Sequence, residues 1–353
     1  MPSIQNMLAV GSISAAIAFG STFLTSTQPV QGCIHPEREF KYPIKAGAQK
    51  GLVFFADGQE QLVLRPSYKV EGEGLKVKND AVEGFTTLAW IVPVPNLPDS
   101  YKEADAKLFS ELADFTEAEE TLSADNARRG KNDDWDGPDE QEGAEFLEEV
   151  KVGDYTIQPV KAKGEIGAIE LNGWLKDNGF GEVNSTVMKH YTDNDYFWLA
   201  VKLHRAEGLP VSGEVKPLQI SFKTDKPVFP MKINQGRGSF DLELWVITKN
   251  EIDTTKTKTQ GLETIEQQDP FMEQNNRKAE FTKLPAVVKD LIDGDAGLKS
   301  LKQGELYCYR FFGVGMDDKV DLSKLESDLT FPTKEKTAGK NEKKVEEKVG
   351  PKK

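Results

Sequence analysis

The dipeptide Asp57-Gly58 constrains this 353-residue chain more than any other feature, because it sits between two apolar runs, residues 52–57 (LVFFAD) and 61–70. Asp-Gly accepts the positive φ that a two-residue hairpin turn demands, so the flanking runs are read as antiparallel strands. A third strand spans residues 85–94 (FTTLAWIVPV), and Pro93, Pro95 and Pro98 force its exit from the sheet because proline donates no ladder hydrogen bond. Further strands are expected at residues 149–160, 196–204 and 305–313. In the 196–204 strand, Phe197, Leu199, Val201 and Leu203 share one face. Leu218/Ile220/Phe222 and Phe240/Leu242/Leu244/Val246 alternate in the same way, as half-buried strands do. The aromatics of Tyr196-Phe197-Trp198 and of residues 307–312 fall on both faces, which fits a sheet covered on both sides.

Helices interrupt the strands without a steady β-α-β rhythm. Ser100 and Glu103 have the spacing of a capping box, and Ala104, Leu108, Leu112 and Phe115 recur at helical spacing behind it, predicting a helix over residues 101–122. A second helix is expected over 165–177, with Ile166, Ile169, Trp174 and Leu175 inward and Gly179 past its end. Shorter helices are expected at 185–191 and around 285–301. The fold class that follows is α+β: a mostly antiparallel β-sheet with inserted helices, forming a single domain over residues 33–333.

The net charge of −13 is unevenly placed. Residues 101–150 hold 17 acidic and 5 basic side chains, or −12. The last twenty hold 8 Lys and 4 Glu, or +4, and the first 32 hold no charged side chain at all. No basic stripe exists to neutralise phosphates, so nucleic acid is not an expected partner. Residues 123–143 hold one large apolar side chain, Trp135, and are expected to be an exposed, disordered acidic loop. Residues 334–353 are expected to be a disordered Lys-rich tail.

Residues 7–24 (MLAVGSISAAIAFGSTFL) form an apolar run followed by a polar stretch, which reads as a signal peptide over residues 1–32 cut before Cys33. The expected location is therefore exported, periplasmic or extracellular. Retention of the run as an N-terminal membrane anchor is the alternative, and acylation of Cys33 is disfavoured by Gln31 and by the long Pro-containing spacer. An oxidising compartment would permit a Cys33–Cys308 disulfide closing nearly the whole fold, worth about 5 kcal/mol by chain entropy. The competing reading of Cys308 is a small buried residue in an apolar strand.

Three stretches, residues 85–98 (FTTLAWIVPVPNLP), 173–180 (GWLKDNGF) leading into 190–203 (HYTDNDYFWLAVKL), and 218–233 (LQISFKTDKPVFPMKI), together resemble the bacterial domain-of-unknown-function family 2330. The resemblance runs from Cys33 to Ile247 and again over the last strand, residues 305–313, and Asp328-Leu329-Thr330-Phe331. It implies an exported bacterial protein, with no established activity and no catalytic residues to carry over. The acidic loop and lysine-rich tail stand where the family often has a Cys-rich loop and a C-terminal membrane segment.

Candidate chemistry is sparse. His190 lies near Asp193 and Asp195, a pairing a hydrolase could use, but no nucleophile motif accompanies it and a helix-end histidine is the favoured reading. Cys33-Ile34-His35 lacks the second ligand pair of a structural zinc site. Asn132, Asp134 and Asp136, followed by Gly137, match the opening of a calcium loop, but its twelfth position is Gly143 instead of glutamate. No catalytic residues and no cofactor are assigned; calcium at Asn132, Asp134 and Asp136 is the one candidate. The expected function is a non-catalytic, envelope-associated binding protein, with an envelope protein or polymer as partner. A calcium-responsive interaction protein and a hydrolase using His190 are the alternatives. Mass spectrometry of protein from the native host is expected to find a mature N-terminus at or next to Cys33; an intact Met1 in the cytosolic fraction would refute cleavage.

Overall fold

The computed structural model describes residues 34–37, 39–116, 142–235, 239–253, 255–257, 278–316 and 322–334. Residues 1–32, where a signal peptide is expected, Cys33, residues 123–141 of the expected acidic loop and residues 335–353 lie outside them.

Two sheets carry the fold. The first runs in the order β1 (Ile34–Pro36), β6 (Thr87–Val94), β11 (Phe197–His204), β10 (Tyr155–Lys163) and β8 (Gly143–Phe146), with β9 (Val150–Val152) also paired to β10. The second runs β16 (Ala279–Glu280), β17 (Glu305–Met316), β15 (Phe240–Thr248), β2 (Ile44–Ala56), β3 (Gln59–Val70), β13 (Leu218–Lys223) and β7 (Ser100–Glu103), with β12 (Ser212–Glu214) paired to β3. Two ribbons, β4 (Val77–Lys78) with β5 (Ala81–Val82) and β14 (Val228–Phe229) with β18 (Leu329–Thr330), complete the set. Among the described residues every strand pairing is antiparallel except β15 with β2, which is parallel. A fold built from hairpins does not need that pair, and it makes the second sheet mixed.

Strand alternation explains the layering. Leu88, Trp90, Val92, Leu199 and Val201 of the first sheet and Val53, Leu62, Ile220, Leu242 and Leu244 of the second share one buried core. The opposite face of the first sheet, with Ile91, Trp198 and Ala200, is covered by α2 (Gly164–Asp177) and α3 (Ser185–Asp193). The opposite face of the second, with Leu52, Val63, Trp245 and Ile247, is covered by α1 (Leu108–Thr116), α4 (Ala286–Asp293) and a 3-10 turn, Ala296–Lys302. The result is an α/β/β/α sandwich, which is why both faces of its central strands are apolar. No described helix is long and apolar enough to cross a membrane.

The Asp57-Gly58 turn forms as expected, with φ of 51° and 80°. Four local expectations are corrected. Ser100–Glu103 is a strand paired with β13, not a capping box, and the Lys107 amide is instead received by Asp105 Oδ1 at 2.7 Å. Free sheet hydrogen bonds on β13 outweigh a short capping preference. In α2, Leu171 and Leu175 are buried while Ile166 and Ile169 face solvent at 52% and 66% exposure. The helix meets β8 through Gly167, where a Cβ would lie 2.4 Å from the Gly143 carbonyl, and that contact sets its rotation. The strand expected over 149–160 is a hairpin of β9 and β10 turning at Gly153, whose φ is +56°. The helix expected around 285–301 breaks at Gly294, after which Asp295 accepts the Gly297 amide at 2.8 Å and starts the 3-10 turn.

Gly51 marks the tightest approach between the second sheet and the β14 ribbon, since a Cβ there would lie 2.4 Å from the Phe229 ring. Gly51→Val is expected to overpack this contact and lower stability by about 1–3 kcal/mol in urea unfolding; unchanged stability would show that the Phe229 ring is free to move.

Candidate functional site

Residues 227–234 run along one end of the sandwich and cannot be held as an ordinary strand. Pro227 and Pro230 donate no hydrogen bond, so the segment forms only a two-residue pairing of β14 with β18. The Val228, Met231, Lys232 and Ile233 amides are received by side chains, and that of Asn234 by the Met231 carbonyl at 3.0 Å. Glu60 Oε2 accepts from Val228 N at 2.9 Å. Asp328 Oδ1 accepts from Met231 N at 2.9 Å and Lys232 N at 3.0 Å, and also from the Tyr191 hydroxyl at 2.6 Å. The Tyr191 hydroxyl in turn accepts from Ile233 N at 3.0 Å. Lys232 donates its ammonium to the Leu325 carbonyl.

Both carboxyls are fully enclosed, Glu60 at 0% and Asp328 at 1% exposure. Burial pushes Asp328 up to about 6, against the pull of the Tyr191, Lys232 and Met231 donors. Burial likewise drives Glu60 well above the ordinary carboxylate range, opposed by the Val228 amide and reinforced by the charge of Asp328. Tyr196 faces both carboxyls. Glu60 Oε1 has no hydrogen-bond partner among the described residues.

The front of the same segment walls a cavity of about 40 Å³, lined from it by Phe229, Pro230, Ile233 and Asn234. Ile34, Leu64, Trp90 and Val92 supply apolar walls from the two sheets. Polar groups are few: Gln49 Nε2 donates to Asn234 Oδ1 at 3.3 Å, and the Trp90 indole N–H has no acceptor among the described residues. Lys50 and Arg65 border the cavity, yet strand alternation sends their side chains to the opposite face with Leu52 and Val63. There Glu214 pairs with them at 2.9 and 2.8 Å, and Arg65 donates to the Ala106 carbonyl. The crevice is therefore a small, nearly neutral, apolar recess, with room for the tip of an apolar group and no more.

His190 lies on α3 with its ring edge-on to Tyr191 at 5.0 Å. Burial lowers its pKa to about 4, the Lys232 ammonium adds to this, and Asp193 opposes it. The two carboxylates that the sequence places nearby are engaged elsewhere, Asp193 by Lys189 at 2.7 Å and Asp195 by Lys161 at 2.6 Å. At neutral pH His190 is accordingly an uncharged imidazole packed on a tyrosine. Cys308 lies buried among Leu52, Trp245 and Leu306, and burial pushes its thiol up to about 12. Cys33 lies outside the described residues, as do Asn132, Asp134 and Asp136. Among the described residues no cluster of His, Cys, Asp and Glu could hold a metal.

Tyr191 and Asp328 fall within stretches that carry the family resemblance, but no motif gives them or Glu60 a role. One signal for Glu60 was present: it shares a strand face with Leu62 and Leu64, where a charged residue is out of place. Asp328 had no such signal, because its acceptor role depends on a segment about a hundred residues earlier in the chain.

A family model described as an uncharacterized protein conserved in bacteria (DUF2330) matches residues 59–294, two thirds of the chain. No curated protein matches the sequence. Among solved structures, a mutated baculovirus P35 after caspase cleavage matches with TM-score 0.31 and 10% identity, over 58% of this chain and 66% of that one. Intact baculovirus P35 matches with TM-score 0.30 and 11% identity, over 60% and 66%. This chain thus spans just under two thirds of the length of P35, and likeness at that level carries no argument about fold or function.

Asp328→Ala is expected to strand two buried amides and the Tyr191 hydroxyl and to cost about 3–5 kcal/mol. Asp328→Asn, which keeps the Oδ1 acceptor, is expected to cost much less. Equal losses in chemical denaturation would show that charge, not acceptance, holds the segment.

Proposed function

The chain belongs to the DUF2330 family of proteins conserved in bacteria, and from that premise we propose that it is an exported, non-catalytic binding protein of the bacterial envelope whose ligand enters the crevice fronting residues 229–234. The observation that carries this reading is the use made of the polar groups at the seam. Asp328, Tyr191 and Glu60 are occupied in bracing one wall of the crevice from behind, and the carboxylates near His190 are bound to lysines. A braced apolar wall has the preorganisation that binding requires, since little ordering remains to oppose association. The uncharged, apolar leader and the family relationship support the export part of the reading.

A photo-crosslinking residue at Leu64, which lines the crevice and is partly exposed, tests the reading in the native host. Adducts are expected in the envelope fraction from position 64, and far fewer from a control placed at Ile169 on the outer helix. Recovery in the cytosol, or equal adducts from both positions, would overturn it.

A further inference from the structure

The two enclosed carboxyls do more than accept amides, because they bind the last described part of the chain to the rest. Leu322, Leu325, Leu329 and Phe331 cover the inter-sheet core, and this strap pairs Leu329 and Thr330 with Phe229 and Val228. Phe331 N donates to the Pro227 carbonyl at 3.0 Å, and Lys334 N to the Glu251 carbonyl at 2.7 Å. Asp328 ties the strap to α3 through Tyr191, and to residues 231–232. Glu60 ties the Val228 end of the same ribbon to β3. The charge acting on Glu60 among the described residues is that of Asp328. Around the pair stand Tyr191 and His190 from α3, Tyr196 before β11, Asp225 in the turn before β14, and Lys232. Lys232, the cation of this group, spends its ammonium on Leu325.

Two acids enclosed together without a cation between them are stable with one charge and not with two. Asp328 has three donors on one oxygen and suits the charge. Glu60, with a single donor, suits the proton; Glu60 Oε1 and Asp328 Oδ2 alike have no hydrogen-bond partner among the described residues, so the number of donors separates the two acids. We propose that Glu60 and Asp328 form a single titrating pair that holds the C-terminal strap docked while it carries no more than one negative charge, and that ionisation of both carboxyls undocks the strap.

The sign follows from linkage. A carboxyl whose pKa is raised on folding contributes stability that is full below its unfolded value and is lost as pH rises through the folded value. Asp328 completes this change near 6. His190, lowered to about 4, acts in the opposite sense and has finished by its ordinary value of 6.5. Above that value, of these three groups, only Glu60 still changes.

The test compares the full-length native chain with Glu60→Gln, which is isosteric and keeps an acceptor for Val228 N. As the pH is raised above about 6.5 the native melting temperature is expected to shift downward. Hydrogen-exchange protection should be lost selectively at residues 322–334 and 228–234. In Glu60→Gln the downward shift and the selective loss should both disappear. A loss of melting temperature of the same size at every pH would mean a purely structural role and would overturn the proposal. Should the variant not fold, carboxyl-carbon NMR of the native chain decides: a Glu60 signal that is protonated at neutral pH supports the pair, and one titrating in the ordinary carboxylate range refutes it.

Discussion

The structure turns on the acceptance of backbone amides by two enclosed carboxyls. The proline-interrupted segment at residues 227–233 presents Val228, Met231, Lys232 and Ile233 amides that no sheet receives, and a buried amide without a partner costs about 1–3 kcal/mol. Glu60 and Asp328 take three of them, and Tyr191, itself held by Asp328, takes the fourth. Through these bonds β3, α3, the β14 ribbon and the C-terminal strap are fixed to one another, although they come from widely separated parts of the sequence. Burying acids is costly, and the raised pKa of each expresses that cost.

The four-layer arrangement gives this bond set its setting. Each sheet buries both faces, so side chains at the sandwich's end lie in a low-polarity interior where hydrogen bonds are strong and unpaired groups are penalised. The same principle operates at the other end of the chain's topology. Thr116, the last residue of α1, receives the Trp245 indole at 3.1 Å and Arg310 at 3.3 Å. Arg310 also grips Glu243 and lies over the Trp245 and Phe312 rings. Thr116 is thus anchored by a largely enclosed cation instead of a buried acid.

Much of this was legible in advance, for identifiable reasons. The Asp57-Gly58 hairpin, the one-faced pattern of residues 197–203, and Leu242, Leu244 and Val246 turning toward the same core all follow from local turn chemistry and a period of two. The misreadings arose where a local signal met a stronger distant one. Ser100–Glu103 could cap a helix or complete an edge of β13, and only the presence of β13 selects the strand. Ile166 and Ile169 fit a helical stripe, but Gly167 is where β8 approaches, so the stripe turns outward. The crevice was legible only in its parts: the family stretches at 85–98 and 218–233 supply its walls, without any sign that they meet.

By itself, then, the sequence determined the local units: which stretches pair as strands, where helices interrupt them, that charge is concentrated in residues 101–150 and in the last twenty, and that the first 32 residues carry none. Those properties depend on neighbours a few residues away. The tertiary structure alone decided that the sheets stack with helices on both outer faces, that β2 and β15 run parallel, and that Glu60 and Asp328 are enclosed together. The physical reason is that partnership and burial are relations between segments distant in the chain. A carboxyl's environment, and hence its charge, is undefined until those segments have packed.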